Sequence, residues 1–391
     1  MRIAYVCADA GVPVFGQKGS SVHVQEVVRA FTKRGIDVEL FAARTGGLPP
    51  ADLHAVRVHE IAISAPGGVG DRERTRVAAN SRTRAALESN GPFDLVYERY
   101  SLWSTAGMEY ARAKGLAGVL EVNAPLIDEQ ARYRNLIDRA GAERATQEAF
   151  CAASTVVVVS RAIVPYVEQY GGRRERVHVV PNGVDPARFP SHLEPSVRGS
   201  DDTFTVGFLG SLKPWHGVTS LVEAFARVHR DNRSTRLLVV GDGPERSSLI
   251  ADVSARGLVA AVHVTGAVAP AQVPRLLASM DAGVAPYLDS ADFYFSPLKI
   301  YEYMAAALPT VASDIGQIAE VIAHDVDGLL CRPGDWSTLA EALVRLQADP
   351  DLRTRLGAAA RRKVIEHHSW DAVAGRVLDL AQVSTVAEAR A

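Results

Sequence analysis

The chain has 391 residues, 47% of them hydrophobic and 23% charged, and a formal net charge of −2. This length favours two domains over one, and the near-neutral charge excludes a general nucleic-acid binder. Three widely separated cysteines, Cys7, Cys151 and Cys331, share no metal-ligand spacing and read as small core residues in a reducing compartment.

The N-terminal MRIAYVCADAG runs straight into a strand, with a single basic residue and no apolar stretch suited to a signal peptide. No run reaches roughly 18 apolar residues, so no transmembrane helix is expected and the cytoplasm is the default compartment. Strands are predicted at Ile3–Cys7, Val38–Ala42, Leu95–Tyr97, Gly118–Val122 and Val156–Ser160. A second series follows at Thr205–Leu209, Arg236–Val240, Val262–Thr265, Ala282–Pro286 and Pro309–Ser313. Between them lie helical patterns such as Val22–Arg34 and Val218–His229. Alternating strands and helices imply parallel sheets covered on both faces. The expectation is an α/β chain of two doubly wound, Rossmann-like domains, 1–190 and 203–365, facing a central cleft. The aperiodic, polar Pro190–Thr203 marks the break. Residues 366–391 read as a helix that either crosses back to the first domain or closes the second; Trp370, Val373, Val377 and Leu380 form its apolar stripe.

Open α/β sheets hold ligands beyond the carboxyl ends of their strands, and four loops there are candidates. In SPLKIYEYMAAALPTVAS (296–313), Ser296 suits an N-cap and Pro297 the first helical position. The first-turn amides then suit an anion. Lys299 opposes the helix dipole, a conflict that an anionic ligand removes. Glu302 stands among tyrosines and alanines, six residues past the cap, which is about 9 Å along the axis. A phosphate at the amides and a ribose diol at Glu302 fit a nucleoside diphosphate; a surface ion pair of Glu302 with Lys299 is the alternative. The second loop, GFLGSLKPWHGV, presents Gly210, Lys213 and His216. The third, VVGDGPER, contains Gly241 but lacks the last glycine of a dinucleotide fingerprint. The fourth, ADAGVPVFGQKGSSVHV, has Gly11, Gly16 and Gly19 before a helix.

Together with VVVVSRAIVPYV (156–167), VHVVPNGVDPARF (177–189), VHVTGAV (262–268) and AEVIAHDVDGLL (319–330), these segments resemble the family 4 retaining glycosyltransferases of the GT-B fold. The resemblance spans nearly the whole chain. It implies that the second domain holds a nucleotide sugar, that Glu302 is the ribose-binding end of the family's carboxylate pair, and that the base packs near Val268. Gly19 would approach the donor phosphates. Gly210, Gly241, Tyr294, Ser296, Pro297 and Leu298 complete the donor-binding set. The departures are specific. Tyr294 stands where the family often has a second Glu, with Asp292 as a substitute. Phe295-Ser296-Pro297 replaces a GFG. Ser211 and His216 replace a common Arg and Lys, and Asn123 a His.

The reaction expected from this resemblance is hexosyl transfer from a UDP- or GDP-sugar to an acceptor hydroxyl, with retention. Lys213, Lys299 and His216 would stabilise the leaving diphosphate, and Asn123 joins them as a catalytic candidate. No cofactor and no metal are expected. The two D-x-D patterns, Asp325–Asp327 and Asp349–Asp351, read as a structural turn and a helix start. Glu98, Arg99, Glu121 and Glu129 are acceptor-side candidates, with solvated loop ends as the alternative. The acceptor is a small molecule or glycan, and peripheral membrane contact is not indicated. The five arginines of RERTRVAANSRTR (72–84) read as a solvated helix, with contact to an anionic lipid carrier or acidic acceptor as the alternative. A nucleotide-sugar epimerase of the same fold and a silent nucleotide-sugar-binding protein are the rival functions. A dehydrogenase is disfavoured by the incomplete glycine fingerprint.

Overall fold

The computed structural model describes residues 1–382 apart from 62, 64–66, 198, 201 and 291; residues 383–391 of the terminal segment lie outside the described residues. The first sheet contains β1 (Arg2–Cys7), β2 (Asp37–Ala42), β3 (Arg57–Glu60), β4 (Leu95–Arg99), β5 (Ala117–Val122), β6 (Thr155–Val158) and β7 (Val177–Val179). Its order is β3-β2-β1-β4-β5-β6-β7, and every pairing is parallel. The second contains β8 (Phe204–Leu209), β9 (Thr235–Val240), β10 (Val262–Val264), β11 (Ala282–Ala285), β12 (Thr310–Ser313) and β13 (Leu329–Cys331), in the order β10-β9-β8-β11-β12-β13, again all parallel.

The central strands are buried along nearly their whole length, as expected of parallel strands covered on both faces. Each sheet runs outward to one edge and then restarts on the other side of its first strand. The switch points therefore lie between β1 and β4 and between β8 and β11, where ligands of such sheets bind. In the second sheet, helix Val218–Asp231 buries Leu221, Val222, Phe225 and Val228 on one face. Each contributes about 1.5–3 kcal/mol of transfer free energy. On the other face, helix Leu298–Ala305 buries Ile300, Tyr301, Tyr303 and Met304. Strands β3, β7 and β13 were not anticipated. They are three or four residues long and stand at sheet edges, where short strands are favoured.

The chain divides into two compact units, Met1–Asn182 with the segment from Trp370 onward, and Gly183–Ser369. The Pro190–Thr203 segment therefore lies inside the second unit. Val184 and Phe189 draw the preceding residues into that unit's apolar core, and the Val184 amide donates to His368 O (2.9 Å). Helix Trp370–Leu380 belongs to the first unit. Trp370 meets His23 edge-on at 5.1 Å, and Arg34 pairs with Asp371 at 2.8 Å. Its buried stripe is Trp370, Ala374, Val377 and Leu378, shifted from the predicted one at Val373 and Leu380. Cys7 and Cys331 are buried, but Cys151 is exposed on the outer side of helix Arg139–Ala152 and is not a core residue. No described helix is long and apolar enough to cross a membrane.

Candidate active site

In the second unit, the loops after β8, β9 and β11 converge on one side chain. Lys299 is only 7% exposed, and its Nζ has no hydrogen-bond partner among the described residues. The ammonium lies 4.1 Å from the ring centre of Phe208 and 5.3 Å from that of Tyr287, contacts worth about 2 kcal/mol when desolvated. Burial pulls its pKa from the ordinary lysine value down to about 7, against the upward pull of the Glu302 carboxylate.

The backbone is shaped around this amine. Gly210 has φ +137°, and a Cβ there would stand 2.9 Å from Lys299 Nζ. Gly241 has φ +141°, and its Cβ would fall 1.9 Å from Gly210 O. Glycine is therefore required at both positions. The two loops are tied by Gly210 N to Val240 O (2.9 Å) and Leu212 N to Asp242 O (2.9 Å).

His216 bonds Ser211 O through Nδ1. Burial, then the positive charge of Lys299 and of Lys213, lowers its pKa to about 3, although the Ser211 carbonyl opposes this. The imidazole is thus neutral in the ligand-free protein and adds no cation, contrary to the role expected of it. Lys213 lies over Trp215, with Nζ 5.9 Å from the ring centre. Trp215 stacks on Phe295 (6.2 Å, 9°), and Phe295 touches Tyr294 (4.4 Å) and Phe293 (5.4 Å). This run of rings seats the segment before helix Leu298–Ala305 on the loop after β8.

The helix start differs from expectation. The helix begins at Leu298, Pro297 occupies the cap position, and no side chain caps it. Ser296 is not the N-cap. Its hydroxyl lies 3.3 Å from Tyr301 Oη, which in turn donates to Gln317 Oε1 (3.1 Å). A buried hydroxyl chain has claimed it.

One turn beyond Lys299, Glu302 is half-buried, facing away from the core that takes Ile300, Tyr301 and Tyr303. Its Oε1 is 3.9 Å from Arg188 Nη1, and Arg188 donates to Pro270 O (2.8 Å). Val268, two residues earlier, packs partly buried against the same core. Arg188 was missed as a site residue, although it closes the quoted segment VHVVPNGVDPARF.

In the first unit, Gly19 opens helix Gly19–Lys33 and is exposed. Gln25 of that helix holds the preceding loop through Val14 O (2.9 Å) and Gly16 O (3.0 Å). His23 Nε2 lies 2.7 Å from Glu121 Oε1, and Arg99 Nη1 lies 3.8 Å from Glu121 Oε2. Burial raises the Glu121 pKa, but His23, Arg99 and the Tyr97 hydroxyl outweigh it, leaving the carboxyl below its usual range. Asn123, two residues on, has a buried amide oxygen without a hydrogen-bond partner among the described residues.

Glu98 points to the opposite face. It accepts from Ser104 Oγ (2.6 Å) and Met108 N (3.1 Å), at the start of helix Ala106–Lys114. It is 1% exposed, and burial raises its pKa to about 7. Glu98 therefore holds a helix and is not an acceptor-side residue: strand neighbours alternate faces, so Glu98 cannot share a surface with Arg99. Glu129 does reach a shallow recess, together with Ala8, Asp9, Arg76, Leu102 and Arg134.

Residues 18–188 match the family described as Glycosyltransferase Family 4, and residues 203–349 match Glycosyl transferases group 1. The chain belongs to the family 4 glycosyltransferases. A D-inositol 3-phosphate glycosyltransferase of Jonesia denitrificans is 27% identical, over 99% of this chain and 97% of its own. The alpha-maltose-1-phosphate synthase of Mycobacterium tuberculosis is also 27% identical, over 97% and 98%. The structure of Anabaena HepE in complex with UDP superposes with a TM-score of 0.74 at 19% identity, covering 98% of this chain and all of that one. This glycosyltransferase has the GT-B fold.

Within it, Lys299, Gly210, Gly241 and His216 come together, with Lys213 acting on His216 and Glu302 one turn away. Three of the four D-x-D carboxylates of this glycosyltransferase are engaged. Asp327 pairs with Lys363 (2.8 Å) and accepts from Ala323 N (2.8 Å), Asp325 pairs with Arg345 (2.5 Å), and Asp349 caps helix Pro350–His367 through Leu352 N (2.8 Å). Among the described residues, no group of three or more His, Cys, Asp or Glu is arranged to hold a metal ion.

Proposed function

We propose that this glycosyltransferase moves a hexosyl group from a nucleoside diphosphate sugar to an acceptor hydroxyl, with retention and without a metal. The observation that carries this reading is the buried Lys299 amine beneath Gly210, which has no hydrogen-bond partner among the described residues, with Glu302 one helical turn further on. An unpaired buried cation is costly, and a diphosphate oxygen supplies its missing partner. Glu302 accepts two hydroxyls of the ribose, and the segment at Val268 receives the base. The UDP complex of Anabaena HepE is consistent with this choice of donor class.

In the proposed reaction the bond between the anomeric carbon and the phosphate oxygen breaks, and the acceptor oxygen bonds to that carbon on the same face. The departing phosphate oxygen takes the acceptor's proton. Lys299, Lys213 and the first-turn amides at Leu298 and Lys299 stabilise the charge on the leaving diphosphate, the kind of contribution whose removal costs roughly 10²–10³ in rate. Burial and the two lysines hold His216 neutral, and a diphosphate offsets the lysine charges and so favours protonation of the imidazole. Isothermal titration with UDP and GDP, on the wild type and Glu302→Ala, tests the donor assignment.

A further inference from the structure

The second unit holds a cavity of about 370 Å³, within the size range of small-molecule sites. It lies at the amino ends of β11 and β12, next to Asp281 and Pro309, whereas the loops around Lys299 follow the carboxyl ends of their strands. Its lining comes from residues 189–193, 274–281 and 306–309 and from helix Pro350–His367. Leu193, Pro274, Leu277, Met280 and Leu308 give it an apolar wall.

Two guanidiniums of that helix complete the lining, Arg353 and Arg361, about 12 Å apart along the axis. Arg353 donates through Nη1 to Leu346 O (2.7 Å) and Gln347 O (3.3 Å) and lies 5.5 Å from the ring centre of Phe204. Asp281 stands at this end, accepting from Thr205 N (2.7 Å) beside Phe204. Arg361 donates through Nη1 to Phe189 O (2.6 Å) and to Ala305 O. Among the described residues, Asp281 is the one carboxylate of the lining, and neither arginine pairs with an acid. On the same helix Lys363 does, with Asp327 (2.8 Å). Both guanidiniums engage only Nη1 among the described residues, which leaves Nε and Nη2, an edge that grips a carboxylate in bidentate fashion.

The wall at the Arg361 end is strained. Ala307 is left-handed, with φ +54°, a conformation that costs a residue other than glycine about 1–2 kcal/mol. Gly357 makes room for it: a Cβ there would fall 2.0 Å from Ala307 O. The turn closes through Leu308 N to Tyr303 O (2.9 Å) and Ala307 N to Met304 O (3.1 Å). Strain of this kind persists where the surroundings impose it, and it clusters at ligand sites. Arg361 thus meets the last turn of the helix whose first turn carries Lys299.

We infer that this cavity is a second ligand site of the chain, for a small carboxylate with an apolar body. The carboxylate takes the open edge of Arg361, the end without an acid, and the body lies along Leu193, Pro274, Leu277 and Leu308. The site is separate from the donor chemistry, and its occupant touches the far end of the helix that presents Lys299 and Glu302.

Isothermal titration of the whole chain with octanoate and 1-naphthoate tests the assignment, beside 1-octanol, 1-naphthylmethanol and acetate. UDP and GDP are titrated with and without the carboxylate. At least one carboxylate should bind tenfold or more tighter than its alcohol and than acetate: octanoate if the body is a flexible acyl chain, naphthoate if it is aromatic. Arg361→Gln should weaken that binding tenfold or more, as expected for a lost charged hydrogen bond. Ser191 is exposed and lines the cavity two residues past Phe189. Ser191→Glu therefore brings a competing carboxylate without disturbing the core and should weaken binding in the same way, whereas Ser191→Gln should not. Neither carboxylate binding, alcohols binding as well as carboxylates, or binding indifferent to both Arg361→Gln and Ser191→Glu would overturn the inference. Displacement of nucleotide that persists in Ser191→Glu would place the anion at Lys299 and overturn it too.

Discussion

Lys299→Met removes the buried amine while keeping much of its volume, and the structure assigns that change two opposite effects. The lysine pKa falls from 10.5 in the unfolded chain to about 7 in the folded one. A depressed lysine contributes stability that is complete above the unfolded pKa and is lost as pH falls through the folded pKa. The ligand-free wild type should therefore gain stability from pH 7 to pH 10, at up to about 1.4 kcal/mol per pH unit from this group. At pH 7 the buried amine costs on the order of 4 kcal/mol relative to high pH. Replacing it by an apolar isostere should stabilise the ligand-free protein by about 1–4 kcal/mol, the range seen when buried charges give way to apolar side chains. The same substitution should weaken nucleoside diphosphate binding and lower turnover roughly 10²–10³-fold. Denaturant unfolding of both proteins at pH 7 and pH 9, with and without UDP or GDP, reads both effects. A less stable Lys299→Met protein with an unchanged pH slope would refute the burial argument. A more stable one that binds nucleotide as the wild type does would refute the assignment of the amine to the diphosphate.

Two other outcomes are expected. Glu98 has a folded pKa of about 7 against 4.5 unfolded, so its contribution is complete below pH 4.5 and is lost as pH rises through 7. Glu98→Gln should therefore be more stable than the wild type at pH 8, by up to about 3 kcal/mol, with the difference vanishing near pH 4.5. Guanidinium titrations at the two pH values measure it. The transfer product, followed by proton NMR of the anomeric position with EDTA present, should keep the donor's anomeric configuration; inversion, or activity abolished by EDTA and restored by Mg²⁺, contradicts the mechanism.

The parallel architecture was legible because strands such as Ile3–Cys7 and Thr205–Leu209 are continuous apolar runs, the mark of sheets covered on both faces. Leu329–Cys331 and Arg57–Glu60 escaped because three or four residues carry no periodicity. Glu302 was legible as a carboxylate in an apolar helix, and Lys299 as a cation at the wrong helix end. Nothing in the residue pattern marks Lys299 Nζ as buried without a hydrogen-bond partner among the described residues, a property set by Phe208, Tyr287 and Gly210 from other segments. Glu98 was misplaced because a glutamate at a strand end reads alike whether it turns to solvent or to a helix start.

The central claim is that a nucleoside diphosphate lies between Gly210, Lys299 and Glu302, and isothermal titration tests it most directly. UDP or GDP should bind the wild type, with uptake of a proton near pH 8 as the diphosphate restores charge to Lys299. Glu302→Ala should weaken that binding tenfold or more without abolishing the proton uptake. Neither nucleotide binding, or binding indifferent to Glu302→Ala, would contradict the account.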